Sequence, residues 1–328
     1  MILISLLIAL AAERHLSSSF WQFKTYYNYY ANCITSNDKL ASVKQNVFGV
    51  FVIILLPVLL VYGLLSFIEN SLLQLIISTA ILIVCFGSVA TRATYKKYLI
   101  AAYSGEQTTC QLHYTQLLQD KNLPDVGFGQ TLIWLNYRYY IAIMFFFVCF
   151  GIPGVVFYRL LTVVVEKYSA GKESTVVENT DTETLEKASF EQENVAEAKA
   201  DEQINEQLND GVSSTNAEQV TATINAKAHD LCQQLLFWLD WLPVRITALG
   251  YMLVGHFSRA LPVWIDCVFD VKKVPNNILA DVAQKSEDFM IDEEDCTAEP
   301  CLLVRLAKRN LLLLLAVIAI LTLAGLIS

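Results

Sequence analysis

Long apolar runs alternate along this chain with short polar punctuation. Residues 47–68, VFGVFVIILLPVLLVYGLLSFI, carry no charge and reach the roughly 20 residues that a bilayer-spanning helix needs. Pro57 inside the run is expected to kink it. After only Glu69 and Asn70, residues 71–89 form a second apolar run, which predicts a tight helical hairpin. At the start, MILISLLIALAAERHL is apolar for about a dozen residues, too short to span alone. It lacks the basic n-region of a secretory signal and reads as a retained helix that crosses in part. Residues 20–30, FWQFKTYYNYY, gather aromatics around one lysine, as headgroup-level belts do.

The pattern loosens over 91–135, which is helical in period and broken at KNLPDVGFG by Pro124, Gly127 and Gly129. The apolar stretch from Tyr139 to Val165 is interrupted at GIPG, residues 151–154. Such a break fits a kinked span or a re-entrant hairpin. Further on, LDWLPVRITALGYMLVGH, residues 239–256, sets Asp240, Arg245 and His256 into an apolar context. Its uncharged part, 246–255, is about half a span. A helix packed on the bundle at the interface is expected here, anchored by Trp238, Trp241 and Trp264. The half-length run favours the re-entrant reading of 139–165, which keeps this block on the cytoplasmic side. A polar helix and an acidic run, IDEEDCTAEP, precede a last span, LLLLLAVIAILTLAGLI, with the basic edge VRLAKR.

Composition agrees: 55% of the 328 residues are hydrophobic, 17% are charged, and mean hydropathy is +0.44. These values predict an all-α, polytopic membrane protein with interfacial or re-entrant helices, its main partner the lipid bilayer. The net charge of -9 is local, since residues 166–230 hold 15 acidic against 5 basic side chains. That segment is polar and poor in aromatics, so it reads as a flexible acidic linker, with transient helix around 183–209. It separates an N-terminal membrane helical region, 1–165, from a C-terminal helical region, 231–328.

Orientation follows from the lysines and arginines. Arg14, Lys24, Lys39 and Lys44 precede the first hairpin, Arg92, Lys96 and Lys97 follow it, and its tip has none. The positive-inside rule then puts both flanks in the cytoplasm and the tip outside. No nucleotide-binding loop, nucleophile elbow or zinc motif occurs. The 8 cysteines and 4 histidines are scattered, which predicts neither a disulfide framework nor a metal site. There is no basic stripe with interleaved aromatics outside the membrane belt, so nucleic acid is not an expected partner.

Burying an unpaired charge costs several kcal/mol, which gives Asp240 and Arg245 a purpose to find. Pro243 between them suggests a helix start, with Asp240 near the positive end of the dipole. One reading pairs Arg245 with Asp240 or Glu13 to hold helices together. The other lines a phosphate or carboxylate pocket with Arg245, Arg138 and Arg159. His256 reads as a polar packing residue.

The order of motifs resembles a known family. Glu13 and Arg14 close the first helix, Trp21 and Gln22 follow, YLIAA stands at 98–102 and WLNYRYYIA at 134–142. GxPGxxxYR at 151–159, LDWLPVRITALGYMLVGH, ALPVW at 260–264 and the final span complete the series. Together these look like the AmpE family of Gram-negative inner membranes. The resemblance covers essentially the whole chain except the acidic linker, which looks like an insertion. It implies a signalling or accessory role in β-lactamase induction and the response to β-lactams. The partners it implies are the cytosolic amidase AmpD or a cell-wall-derived ligand.

The family is in turn similar to the CobD/CbiB cobalamin-biosynthesis membrane synthases, whose N-Y-[IL]-P-A-R-L run matches Asp240 to Ile246. Their E-N-x-x-D motif falls on Trp134 to Arg138, where Asn136 stands and both carboxylates are missing. An amide ligase with altered acidic groups, using Mg-ATP as cofactor, is the alternative. It requires Glu13, Glu106 or Asp125 to converge on Arg245. A transporter is the third reading, ranked last because no inverted repeat is visible.

Overall fold

The computed structural model describes residues 2–16, 19–36, 47–87, 89–189, 209–287 and 297–326, with backbone alone over 168–189 and 209–226. Among these residues the chain is helical with no strand. The helices are α1 (Ile2–His15), α2 (Phe23–Thr35), α3 (Val47–Ser66), α4 (Ser71–Cys85), α5 (Val89–Tyr103) and α6 (Gln107–Lys121). There follow α7 (Phe128–Asn136), α8 (Ala142–Ser189), α9 (Asn209–Val254), α10 (Phe257–Phe269), α11 (Pro275–Ser286) and α12 (Ala298–Leu323). Three stretches are long and apolar enough to cross a membrane: Gly49–Ser66, Phe128–Lys167 and Ala298–Leu323. The α4–α5 pair passes the same test jointly, bent by 43° at its break. The apolar run expected to continue to residue 89 therefore ends its first helix at Cys85.

Each boundary has a local cause. The Asn70 side chain accepts from the Leu72 amide at 3.0 Å and caps α4. Asn122, at φ 47°, closes α6 in the left-handed conformation. The Tyr114 hydroxyl then donates to Asp125 and accepts from the Gly127 amide, which folds the 122–127 loop onto α6. A π-helical turn, Tyr137–Ile141, joins α7 to α8.

The Phe128–Lys167 stretch does not run straight. Gly151 sits at φ 67°, ψ −159°, a region closed to residues with a Cβ. Pro153 follows with a fixed φ suited to restarting a helix. At 1.5 Å per residue a straight helix would separate residues 138 and 166 by about 42 Å. Yet Arg138 Nη1 lies 3.8 Å from Glu166 Oε1, and the Phe146 and Tyr158 rings stack with centroids 4.6 Å apart. The stretch is therefore a helical hairpin, folded back at GIPG with its two arms side by side. A Cβ on Gly154 would fall 2.4 Å from that of Phe150, so the second glycine is needed for the arms to close. Of the two forms the break allowed, the structure takes the folded-back one.

This hairpin is the centre of the bundle. Half of its most apolar window is buried, against 17% for α3 and 22% for α12. Leu55, Leu56, Leu59 and Leu60 on α3 and Leu312 and Ile320 on α12 are exposed, and such rows suit lipid. α1 lies along the hairpin, its Ile2 and Ser5 beside the tip residues Phe150 to Pro153 and its Glu13 against Tyr140 near the base. α11, which reads as polar in sequence, buries Ile278, Leu279, Val282 and Ala283 beneath α9 and α10.

One expectation needs correction. Pro243 does not start a helix; it lies inside α9, so Asp240 is mid-helix and has no dipole to meet it. The acidic segment itself is helical where it is described, over 166–189 and 209–230, and Ala228 and His229 are buried. Its middle, 190–208, lies outside the described residues, as do Lys39, Lys44 and the acidic run 291–296.

Candidate functional site

At the base of the hairpin, polar side chains from both arms meet α9. Tyr137 and Tyr158 donate to the same Asp240 oxygen at 2.7 and 2.9 Å. The two tyrosines are fully buried and Asp240 is 2% exposed, so the carboxylate exchanges water for two hydroxyls. Arg138 on the π turn feels both Glu166 and Asp240 and lies in hydrogen-bonding range of Tyr158. Its guanidinium also covers the Trp134 ring, 5.2 Å from the centroid. A second row runs beside this one. Lys121 donates to the Tyr139 hydroxyl at 2.6 Å, and that hydroxyl donates to Glu166 at 3.2 Å.

Arg159 completes the cluster from the second arm. Its guanidinium stacks over Tyr139 at 4.4 Å and lies 5.6 Å from the centroid of Phe23. Its Nη2 points at Gly87, in the break between α4 and α5, where a Cβ would come within 3.1 Å. It is 5% exposed, and its Nε and Nη1 find no hydrogen-bond partner among the described residues. Arg138 Nε and the Asn136 side-chain oxygen are likewise buried without a partner there.

The structure thus joins Arg138, Arg159, Asp240 and Asn136 in one region and sends the other candidates elsewhere. Arg245 makes neither expected ion pair. It donates to the carbonyls of Trp241, Val268 and Asp270 at 2.9, 3.1 and 2.7 Å and lies over the Trp241 ring. Those carbonyls include the open C-terminal end of α10, where a cation is favoured. Desolvation lowers the affinity of this guanidinium for its proton, and three oxygens offset the burial.

Glu13 pairs with Arg92 at 2.9 Å and accepts from Tyr140 at 3.0 Å, which binds α1 to α5 and the hairpin. Arg14 is exposed. His256 precedes α10, with Nδ1 3.3 Å from the Ser286 carbonyl oxygen. Glu13, Glu106 and Asp125 do not converge on Arg245: Asp125 is held by Tyr114, and Glu106 leads into α6. The ligase reading loses the arrangement it requires. Among the described residues no three His, Cys, Asp or Glu side chains gather as metal ligands.

Sequence reasoning missed Tyr137, Tyr139, Tyr158, Glu166 and Lys121. The tyrosines lie inside WLNYRYYIA and GxPGxxxYR, where hydroxyls on an apolar helix were a usable signal. Glu166 was assigned to the linker, one residue past the apolar boundary.

Comparison with known proteins bears on this assembly. The family model described as "Regulatory signalling modulator protein AmpE" matches residues 1–165 and 214–328. Both halves of the cluster fall inside the match, up to but not including Glu166. Among curated proteins, Protein AmpE of Shigella flexneri is 34% identical over 94 residues, 28% of this chain and 32% of that protein. The match therefore spans about a third of the relative's length. No solved structure matches the chain.

Proposed function

The chain belongs to the AmpE family, and from that membership we propose that it is an inner-membrane signalling modulator that adjusts β-lactamase induction when β-lactams damage the wall. The family match over both halves of the chain is the observation that carries this reading. A bundle with lipid-suited rows on α3 and α12 supports a multi-pass placement. Ionisable groups buried inside such a bundle are functional candidates by default.

Orientation gives the role a direction. With the basic flanks inside, α3 runs outward, the bent α4–α5 pair returns, and the folded-back hairpin brings residues 127 and 168 to the same, cytoplasmic side. The acidic segment and α9 to α11 then face the cytosol, within reach of a partner such as the amidase AmpD. The buried cluster supplies the other route, through an anionic ligand such as one derived from the wall.

Deleting the gene in a strain with inducible β-lactamase and active muropeptide recycling tests the proposal. Induced β-lactamase activity is expected to change and to return on complementation. Unchanged induction and recycling would remove it.

A further inference from the structure

At the tip of the hairpin, away from the buried cluster, the structure holds a cleft of about 530 Å³. That is the size of a small-molecule site. It lies between the start of α1, the adjoining ends of α3 and α4, and the tip residues Phe150 to Pro153.

Its lining divides by chemistry. α4 turns Ser71, Gln74 and Ser78, spaced i, i+3, i+7, into the cleft, while Leu72, Leu73 and Ile76 are exposed on the opposite face of the helix. Tyr62 of α3 adds a hydroxyl, and Ser5 of α1, 2% exposed, adds another from the interior. Phe147 and Phe150 supply aromatic walls from the hairpin, and no lining side chain is charged.

These polar groups are open to a guest. Ser66, also in the lining, gives its proton to the Tyr62 carbonyl at 2.9 Å, as helix serines often do. By contrast, no side-chain hydrogen bond engages Ser5, Ser71, Gln74 or Ser78 among the described residues. Polar side chains on membrane helices ordinarily bond across to a neighbouring helix. Here they face a shared cavity instead.

The lining selects by elimination. A charged guest would lose water and gain no counter-ion among the lining side chains. An acyl chain would leave Ser5 and the α4 row without partners. A sugar ring satisfies both halves, with C–H groups on its faces for the phenylalanines and hydroxyls round its edge for the serines and the Gln74 amide, which donates and accepts.

We propose that this cleft binds an uncharged glycosyl group, carried by a soluble sugar or by a glycolipid headgroup. The site goes beyond the signalling role and stands on the cleft alone. With the basic flanks inside, it opens on the outer side, where both sources meet it.

Two probes separate the sources. Purified full-length protein is kept in a polyoxyethylene detergent, because sugar-headed detergents would compete. It is titrated with N-acetylglucosamine, which carries hydroxyls and an amide, by saturation-transfer NMR. In parallel it is offered equal amounts of monoglucosyl diacylglycerol and plain diacylglycerol, and retained lipid is counted by native mass spectrometry. Saturable sugar binding indicates a soluble ligand; preferential retention of the glucosyl lipid without it indicates a headgroup. In either case Gln74→Leu should weaken binding about fivefold, as loss of one hydrogen bond does. Phe150→Ala, which removes a wall at an exposed position, should also weaken it. Thr115→Val, on the exposed side of α6, should leave it unchanged.

Binding of neither probe overturns the proposal. So does equal retention of the two lipids without sugar binding, which would make the cleft an acyl groove, and so does binding that survives every one of the two cleft changes that folds. These readouts fail independently of the induction phenotype.

Discussion

Tyr137 and Tyr158, on opposite arms of one hairpin, donate to a single oxygen of Asp240 on a third helix, at 2.7 and 2.9 Å. The contact is a three-point tie. It fixes the register of the two arms and docks α9 against both. Because the acceptor is a carboxylate, each bond is charge-assisted, and the nearby Arg138 keeps the group from being an uncompensated buried anion.

Removing the carboxylate should therefore cost more than removing either hydroxyl. Asp240→Asn keeps the volume but strips the charge facing Arg138, and a loss of about 3 kcal/mol is expected for a broken buried charge network. Tyr137→Phe or Tyr158→Phe should cost about 1–2 kcal/mol each. Because they share one acceptor, the double change should depart from additivity by at least about 0.5 kcal/mol. Thermal unfolding of the four variants in detergent checks the ordering. Asp240→Asn as stable as wild type would show that the tie has no structural weight.

The hairpin predicts sidedness. A reporter fused after residue 190 should report the cytoplasm, and Cys149, exposed beside the tip, should not react with impermeant thiol reagents added from that side. Gly151→Ala puts a Cβ into a backbone region reserved for glycine and should destabilise the protein by about 1–3 kcal/mol. A periplasmic signal at residue 190 in the wild-type chain would require a straight crossing and contradict the fold.

Much of this could be read from the sequence because membrane helices announce themselves by length and apolarity. Val47–Ser66 and the final span needed nothing else. The GIPG break was visible, and its sense was favoured only indirectly, through the half-length run 246–255: folding back itself depends on Gly151's positive φ and on contacts between arms, and neither leaves a trace in hydropathy. The arginines fared unevenly for a similar reason. Arg138 and Arg159 were legible as charges on apolar helices. Arg245 looked alike in sequence, but its partners are the carbonyls of α10, which no residue pattern displays.

That difference makes Arg245 a useful contrast to Arg159. Arg245→Ala leaves the Val268 and Asp270 carbonyls without their donor at the turn after α10, and a cost of about 2–4 kcal/mol is expected. Arg245→Lys should recover only part of it, since one ammonium cannot repeat the three-way fork. Chemical denaturation of the two variants checks this ordering. Arg245→Ala as stable as wild type would show that the three carbonyl contacts carry no structural weight.

The final span is held to α9 by one buried amide. Asn310 is 3% exposed, and its side-chain nitrogen donates to the Thr247 carbonyl at 3.1 Å. One turn along α9, Gly250 leaves room for it: a Cβ there would fall 2.1 Å from the Asn310 side-chain oxygen. Gly250→Ala should therefore push α12 from α9 and cost about 1–3 kcal/mol, against the gain in helix propensity that alanine brings. Asn310→Ala should cost about 1–2 kcal/mol by itself through the lost bond. In the double variant the clash is gone, so Gly250→Ala should become neutral or stabilising. Unfolding measurements on this cycle give the sign. A Gly250→Ala penalty that persists without Asn310 would mean that the close approach of the helices, not the amide, sets the glycine requirement.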